Sequence, residues 1–235
     1  WVHKYPHFAV PEPRIGFLQE ALRWWDKWLK GIETGVDNDP AYSVYLMDGV
    51  RPKTWYAERA GRWVNEENWP EGPTKQKMFL GTGNGLCEVA GEITDVVASP
   101  QTCGMASGEY CAIWLGPEMP GDQRGDDALS VCYDSAPLEQ DYDIIGAAQL
   151  KLRLKSNTTD AQVAVRLNHV HPVGASTRIS YGVLNLAQSV VHEHPTPLRV
   201  DEVSEFSIKL DHIAYSVPKG HKLRLAISSA YWPLL

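Results

Sequence analysis

The strongest constraint on this chain is a series of short period-two segments in its second half with no helix between them. Leu150, Leu152 and Leu154 alternate with Lys151, Arg153 and Lys155. Val163, Val165 and Leu167 alternate with Ala164, Arg166 and Asn168, and Leu223, Leu225 and Ile227 with Lys222, Arg224 and Ala226. Successive side chains of a strand point to opposite faces, so each alternation predicts a strand with one face on a core. Strands are expected over 129–133, 147–154, 161–170, 178–186, 205–210 and 222–228. Turn signals lie at Ser156-Asn157, Pro172 to Ala175, Pro195 to Pro197 and Pro218-Lys219-Gly220. Strands in series without intervening helices build antiparallel layers, so the expected fold is mainly β, a sandwich or jelly roll.

The first part of the chain reads differently. From Arg14 to Lys30, Leu18, Leu22, Trp25 and Leu29 fall at helical spacing, and Phe17, Ala21, Trp24 and Trp28 repeat it one residue earlier. Together they make one broad apolar stripe, opposite Gln19, Glu20, Arg23, Asp26, Lys27 and Lys30. Pro13 precedes the helix, and Gly31 is placed to close it in a left-handed cap. Such a stripe needs a large surface to pack on. Strands are also expected over 42–47 and 76–80, with 61–73 as a loop and 85–125 irregular. The start at Trp1 without a Met and the apolar end Tyr231-Trp-Pro-Leu-Leu235 give the expectation of a piece of a longer protein.

Composition removes several functions. The 22 Lys and Arg against 29 Asp and Glu leave a net charge of −7. No nucleic-acid partner is expected, because that needs a basic face to displace counterions, and no membrane partner, because polybasic and long apolar segments are missing. No signal peptide opens the chain, so a cytoplasmic location is expected. Cys87, Cys103, Cys111 and Cys132 form no C-x-x-C pair and read as free thiols, with Cys103 and Cys111 close enough to pair if their loop folds back.

The chain carries no G-x-S-x-G elbow, no P-loop and no H-E-x-x-H. His169-Val-His171 and His192-Glu-His194 each have the i, i+2 spacing that places two rings on one face of a strand. With Glu193 or Asp160 they could complete a metal shell. They are read here as polar residues at loop ends beside Pro172 and Pro195, so no metal and no cofactor are expected. Asp126-Asp127 and Asp141-Tyr-Asp143 have the carboxylates to bind calcium, but are read as solvated turns.

The remaining candidate is His3, in Trp1-Val-His3, with His7 as its rival. The order Trp1-Val-His3, Pro-rich loop, then Phe17-Leu-Gln-Glu-Ala-Leu-Arg-Trp-Trp-Asp-Lys-Trp-Leu-Lys-Gly31 resembles the cocaine esterase, X-prolyl dipeptidyl peptidase and α-amino-acid ester hydrolase family. Its members carry a triad histidine in Gly-Pro-Trp-x-His. Further matches lie at 122–130, 134–138, 174–178, 181–186 and 220–229. The resemblance implies the C-terminal part of a serine hydrolase that cleaves small acyl or aminoacyl esters or X-Pro dipeptidyl amides through an acyl-enzyme. Residues 1–38 would be the tail of an α/β-hydrolase domain, and 39–235 a jelly-roll β-sandwich of the galactose-binding-like kind. The nucleophilic Ser and triad Asp would lie upstream, and His3 would move the proton, as suits an imidazole near neutrality. The partners implied are a small acyl or peptide substrate, the upstream catalytic domain and a possible homo-oligomer. The alternative reading is a non-catalytic carbohydrate- or ligand-binding sandwich with Trp63, Trp69 or Tyr142 as its platform; a third is a sandwich that serves assembly alone.

Overall fold

The structure, a computed structural model, describes residues 13, 15–67, 76–111, 117–189 and 193–235. The helix forms where the stripe predicts it: α1 spans Phe17–Lys30. Gly31 closes it at φ 70°, ψ 20°, a conformation that costs a Cβ-bearing residue but not glycine. Lys27 and Lys30 sit in the last turn, where the helix dipole favours cations. Arg23 pairs with Glu20 and Asp39, and Lys27 with Glu33 and Asp37, tying the polar side of α1 to the segment after it. The apolar side is another matter: no residue of α1 is buried. No described helix is long and apolar enough to cross a membrane.

The rest is mainly β. In chain order the strands are β1 (Tyr42–Asp48), β2 (Gly61–Glu66), β3 (Phe79–Gly81), β4 (Gly85–Cys87), β5 (Val131–Asp134), β6 (Tyr142–Gly146), β7 (Gln149–Leu154), β8 (Gln162–Val170), β9 (Ser176–Asn185), β10 (Ser204–Lys209), β11 (Ile213–Val217) and β12 (Lys222–Ser228), with a single-turn helix α2 (Arg124–Asp127) before β5. They form a six-stranded sheet in the order β3-β4-β5-β12-β8-β9, a four-stranded sheet β2-β1-β11-β6 and a two-stranded pair β10-β7. Most neighbours are antiparallel; β1 with β11 and β4 with β5 run parallel. All three sheets feed one core. Val163, Val165 and Leu167 of β8 and Leu223, Leu225 and Ile227 of β12 meet Phe206 and Ile208 of β10 and Tyr215 and Val217 of β11.

The three alternating segments became β7, β8 and β12, with β12 at the expected bounds. Three strands departed from expectation. Residues 61–66 are a strand, not a loop, because β2 pairs with β1 from Tyr42 to Met47 and Trp63 meets Tyr45 edge-on at 5.4 Å. Cross-strand contact there outweighs local composition. Residues 142–146 form β6, not a turn: the acidic side chains around it are held outward, Asp143 by Arg62 and Asp141 by the Lys219 N–H. β11 was invisible to periodicity because it lies between β1 and β6 with Ala214, Tyr215, Ser216 and Val217 all buried, so neither face reads as polar. All four cysteines are free; Cys103 is buried and Cys111 exposed.

Candidate functional site

β8 lies inside its sheet, between β12 and the edge strand β9, and is buried on both faces, and the two faces do different work. On the outer face, Arg166 and Asn168 point away from the apolar core. Asn168 Nδ2 donates to Asp127 at 2.9 Å and Ser176 Oγ donates to the same carboxylate at 2.7 Å. Arg224, across the ladder on β12, donates to Asp127 at 3.2 Å and holds Asp134 through two bonds of 2.6 and 2.8 Å. Arg166 lies 3.4 Å from Asp127, donates to Ser130 Oγ at 2.6 Å and faces the Tyr231 ring at 4.6 Å. Tyr231 in turn donates to Gln123.

Asp126 accepts from the backbone N–H groups of Gly104 and Ala106 at 2.8 and 3.0 Å. This corrects the expectation of solvated turns at Asp126 and Asp127, which are 2% and 4% exposed. Wholly buried Arg166 on β8 and half-buried Arg224 on β12 require a carboxylate, and α2 delivers it as Asp127. Burial pushes the Asp127 carboxyl up, against the pull of Ser176, Arg166 and Arg224. Gly104 is needed at this seam: its φ is +113°, and a Cβ there would lie 2.2 Å from the Trp232 carbonyl oxygen. The network therefore clamps residues 103–107, α2 and the C-terminal segment onto the sheet.

The inner row of β8 runs Val163, Val165, Leu167 and continues through His169 to His171. The two rings stack 4.0 Å apart, and both residues are buried. This corrects their reading as loop-end polar residues: they extend the core row. His221, two residues before Leu223 in the matching row of β12, completes a trio. One nitrogen from each ring lies within 4.8 Å of the others. His169 Nδ1 is 2.9 Å from the Tyr215 hydroxyl and its Nε2 is 2.6 Å from His221 Nδ1. His171 Nε2 is 3.1 Å from both the Val50 carbonyl and Thr177 Oγ1. A carbonyl only accepts, so Nε2 of His171 carries its proton and Nδ1 keeps the lone pair. Gly49 permits the approach: a Cβ there would meet Pro218 Cδ at 2.7 Å and His169 Cε1 at 2.9 Å.

All three rings are held neutral. Burial, then His171 and His221, push His169 down to about 3. Burial, then His221, push His171 down, with Arg51 adding to this and Val50 and Asp122 opposing it. Burial lowers His221. Among the described residues the trio's hydrogen-bond partners are tyrosine, histidine, threonine and backbone. A cavity of about 60 Å³ borders Tyr215 and Thr177 and is lined by Arg59, Arg178, Tyr56 and Met119. That is room for a water or two rather than for a peptide.

The other sequence candidates are dispersed. His3 and His7 lie outside the described residues, as do His192 and Trp69. His194, Glu193 and Asp160 are exposed, and the partner of the 169–171 pair is His221. Trp63 donates to the Pro13 carbonyl and Tyr142 to Gln76. His221 and Tyr215 were missed, although counting the apolar rows of β8 and β12 two steps further would have placed His169, His171 and His221 on the core face.

Residues 34–235 match the family model described as the X-Pro dipeptidyl-peptidase C-terminal non-catalytic domain. The chain is 24% identical over 249 residues to Mb1866c of Mycobacterium bovis, provisionally named a serine esterase. That match covers 96% of this chain and 38% of the other protein. The chain thus spans under two-fifths of the length of the curated relatives it matches. A CocE/NonD family hydrolase from Staphylococcus aureus shares the fold at TM-score 0.64 and 14% identity, over 90% of this chain and 37% of that one. An α-amino acid ester hydrolase labelled with selenomethionine does so at TM-score 0.62 and 18% identity, over 74% and 32%. The family resemblance expected from the motifs is borne out.

Proposed function

Because the chain belongs to the family of X-Pro dipeptidyl-peptidase C-terminal non-catalytic domains, we propose that it serves a serine hydrolase as the β-rich domain beside the catalytic one. In this reading residues 39–235 are a jelly-roll domain and residues 1–38 the last loop and helix of an α/β-hydrolase domain. The Ser nucleophile and triad Asp lie upstream. His3 accepts the serine proton and returns it to the leaving group. The substrates are small acyl or aminoacyl esters or X-Pro amides, in line with the names of the relatives.

The observation that carries this reading is the state of α1. Phe17, Leu18, Leu22, Trp25, Trp28 and Leu29 are 53–73% exposed, although the helix is capped and ion-paired on its polar side. Burying each such side chain is worth about 1.5–3 kcal/mol. A stripe of this size signals a missing surface, and an upstream catalytic domain fits it.

Labelling with a fluorophosphonate, read by intact mass, tests the reading. The expected result is no adduct on the 235-residue chain, one adduct on the longer protein, and loss of ester or X-Pro amide turnover in the longer protein on His3→Ala with an unchanged circular dichroism spectrum. A stoichiometric adduct on the 235-residue chain, or full turnover after His3→Ala, overturns it.

A further inference from the structure

We propose that His169, His171 and His221 form a binding site for one divalent transition-metal ion of the zinc class, held by three imidazole nitrogens with a fourth position open toward the side of half-buried His221. The inference does not depend on the hydrolase reading. It starts from an imbalance. Three bases share one end of the core, and none of them hydrogen-bonds a carboxylate among the described residues. The N···N contact of 2.6 Å between His169 and His221 is a hydrogen bond in which one neutral ring donates its N–H to the lone pair of the other, and a metal ion would take the place of that shared proton. Three neutral imidazoles are the donor set that borderline-soft divalent ions prefer, and three protein nitrogens plus an open position is a common zinc arrangement.

The outer partners are in place as well. His171 Nε2–H is fixed by Val50 and Thr177, which leaves Nδ1 free to ligate. Tyr215 OH sits on His169 Nδ1 and can accept its proton, which leaves Nε2 free to ligate. Tyr215 also receives the Val50 N–H at 3.2 Å, so one loop residue braces both rings. Such partners orient a ligating histidine and fix its tautomer. With metal–nitrogen bonds of about 2.0–2.1 Å, tetrahedral ligands stand about 3.3 Å apart. The His169–His221 contact must therefore open by under about 1 Å. His221 lies just after the Pro218–Gly220 turn and is half-buried, so it is the ring that can move. The charges facing the trio pull both ways: Arg51 disfavours a cation beside His171, and Asp122 favours one.

The test uses the tag-free 235-residue chain, stripped with a chelator and titrated with Co²⁺ and then Zn²⁺. One equivalent of Co²⁺ is expected to give the intense visible bands of a tetrahedral site, displaced by one equivalent of Zn²⁺, and Zn²⁺ is expected to raise the melting temperature. His221→Asn changes a half-buried turn residue, so the chain should keep its near-ultraviolet circular dichroism while losing at least 100-fold in affinity. Tyr215→Phe, which removes only the positioning hydroxyl, should cost about 10–100-fold. His194→Gln, on an exposed histidine outside the trio, should change nothing. Absence of the bands, or bands that survive His221→Asn or disappear with His194→Gln, overturns the site.

Discussion

The two faces of β8 bury polar groups in opposite ways. On the outer face Arg166, Asn168 and their neighbour Arg224 meet Asp127, Asp134 and Ser176, so two cations face two anions, although Arg166 Nε and Nη1 and Asn168 Oδ1 have no hydrogen-bond partner among the described residues. On the inner face His169, His171 and His221 stand together as three bases, with no carboxylate of the described residues bonded to them. The first cluster balances its charges, and what it achieves is mechanical: it fastens α2 and the C-terminal segment to the sheet. The second stays neutral by keeping protons off, and that leaves lone pairs to share. A buried polar cluster thus shows its purpose by whether its charges close on themselves.

The sharpest way to break this comparison is Asp127→Ala. It removes the acceptor shared by Asn168, Ser176 and two arginines, and leaves Arg166, which is wholly buried, without a carboxylate. Breaking a buried pair from one side costs about 3–5 kcal/mol. Urea unfolding should show that loss, and a change under about 1 kcal/mol would mean the network is ornamental.

Acid should act next, and through the inner face. The folded histidines hold their protons less tightly than the ordinary value of 6.5, with His169 down at about 3. The unfolded chain therefore binds more protons below about pH 6.5. Stability is complete above that pH and falls as the pH drops toward the folded values. In metal-free chain the urea midpoint should decline from pH 6.5 to 4, and His169→Gln should flatten that decline relative to the parent. Parallel profiles would contradict the neutral trio.

The smallest effect belongs to His221→Asn without metal. It removes one partner of His169 at a half-buried turn, a cost of about 1–2 kcal/mol. A loss as large as that of Asp127→Ala would erase the contrast between the two faces.

Local pattern carried much of the fold. The alternating rows of β7, β8 and β12, the stripe and left-handed cap of α1, and the family motifs are all readable from residues within about ten positions of one another. β11 was not readable because a strand covered on both sides has no polar face to mark it, and β2 because its pairing with β1, rather than an alternation of its own, makes it a strand. The motif around Asp126 and Asp127 was visible as a motif, but its burial was not. That burial depends on Arg166 and Arg224, 39 to 98 positions further on.

The histidine trio divides along the same line. The sequence by itself determined that His169 and His171 share a face, since period two is a property of any strand. Only the tertiary structure decided that His221, 52 positions from His169, and Tyr215, 46 positions from it, close around them. Neighbours along the chain are set by backbone geometry. Neighbours across the core are set by which strands pair, and that is chosen by the burial of the whole apolar surface at once.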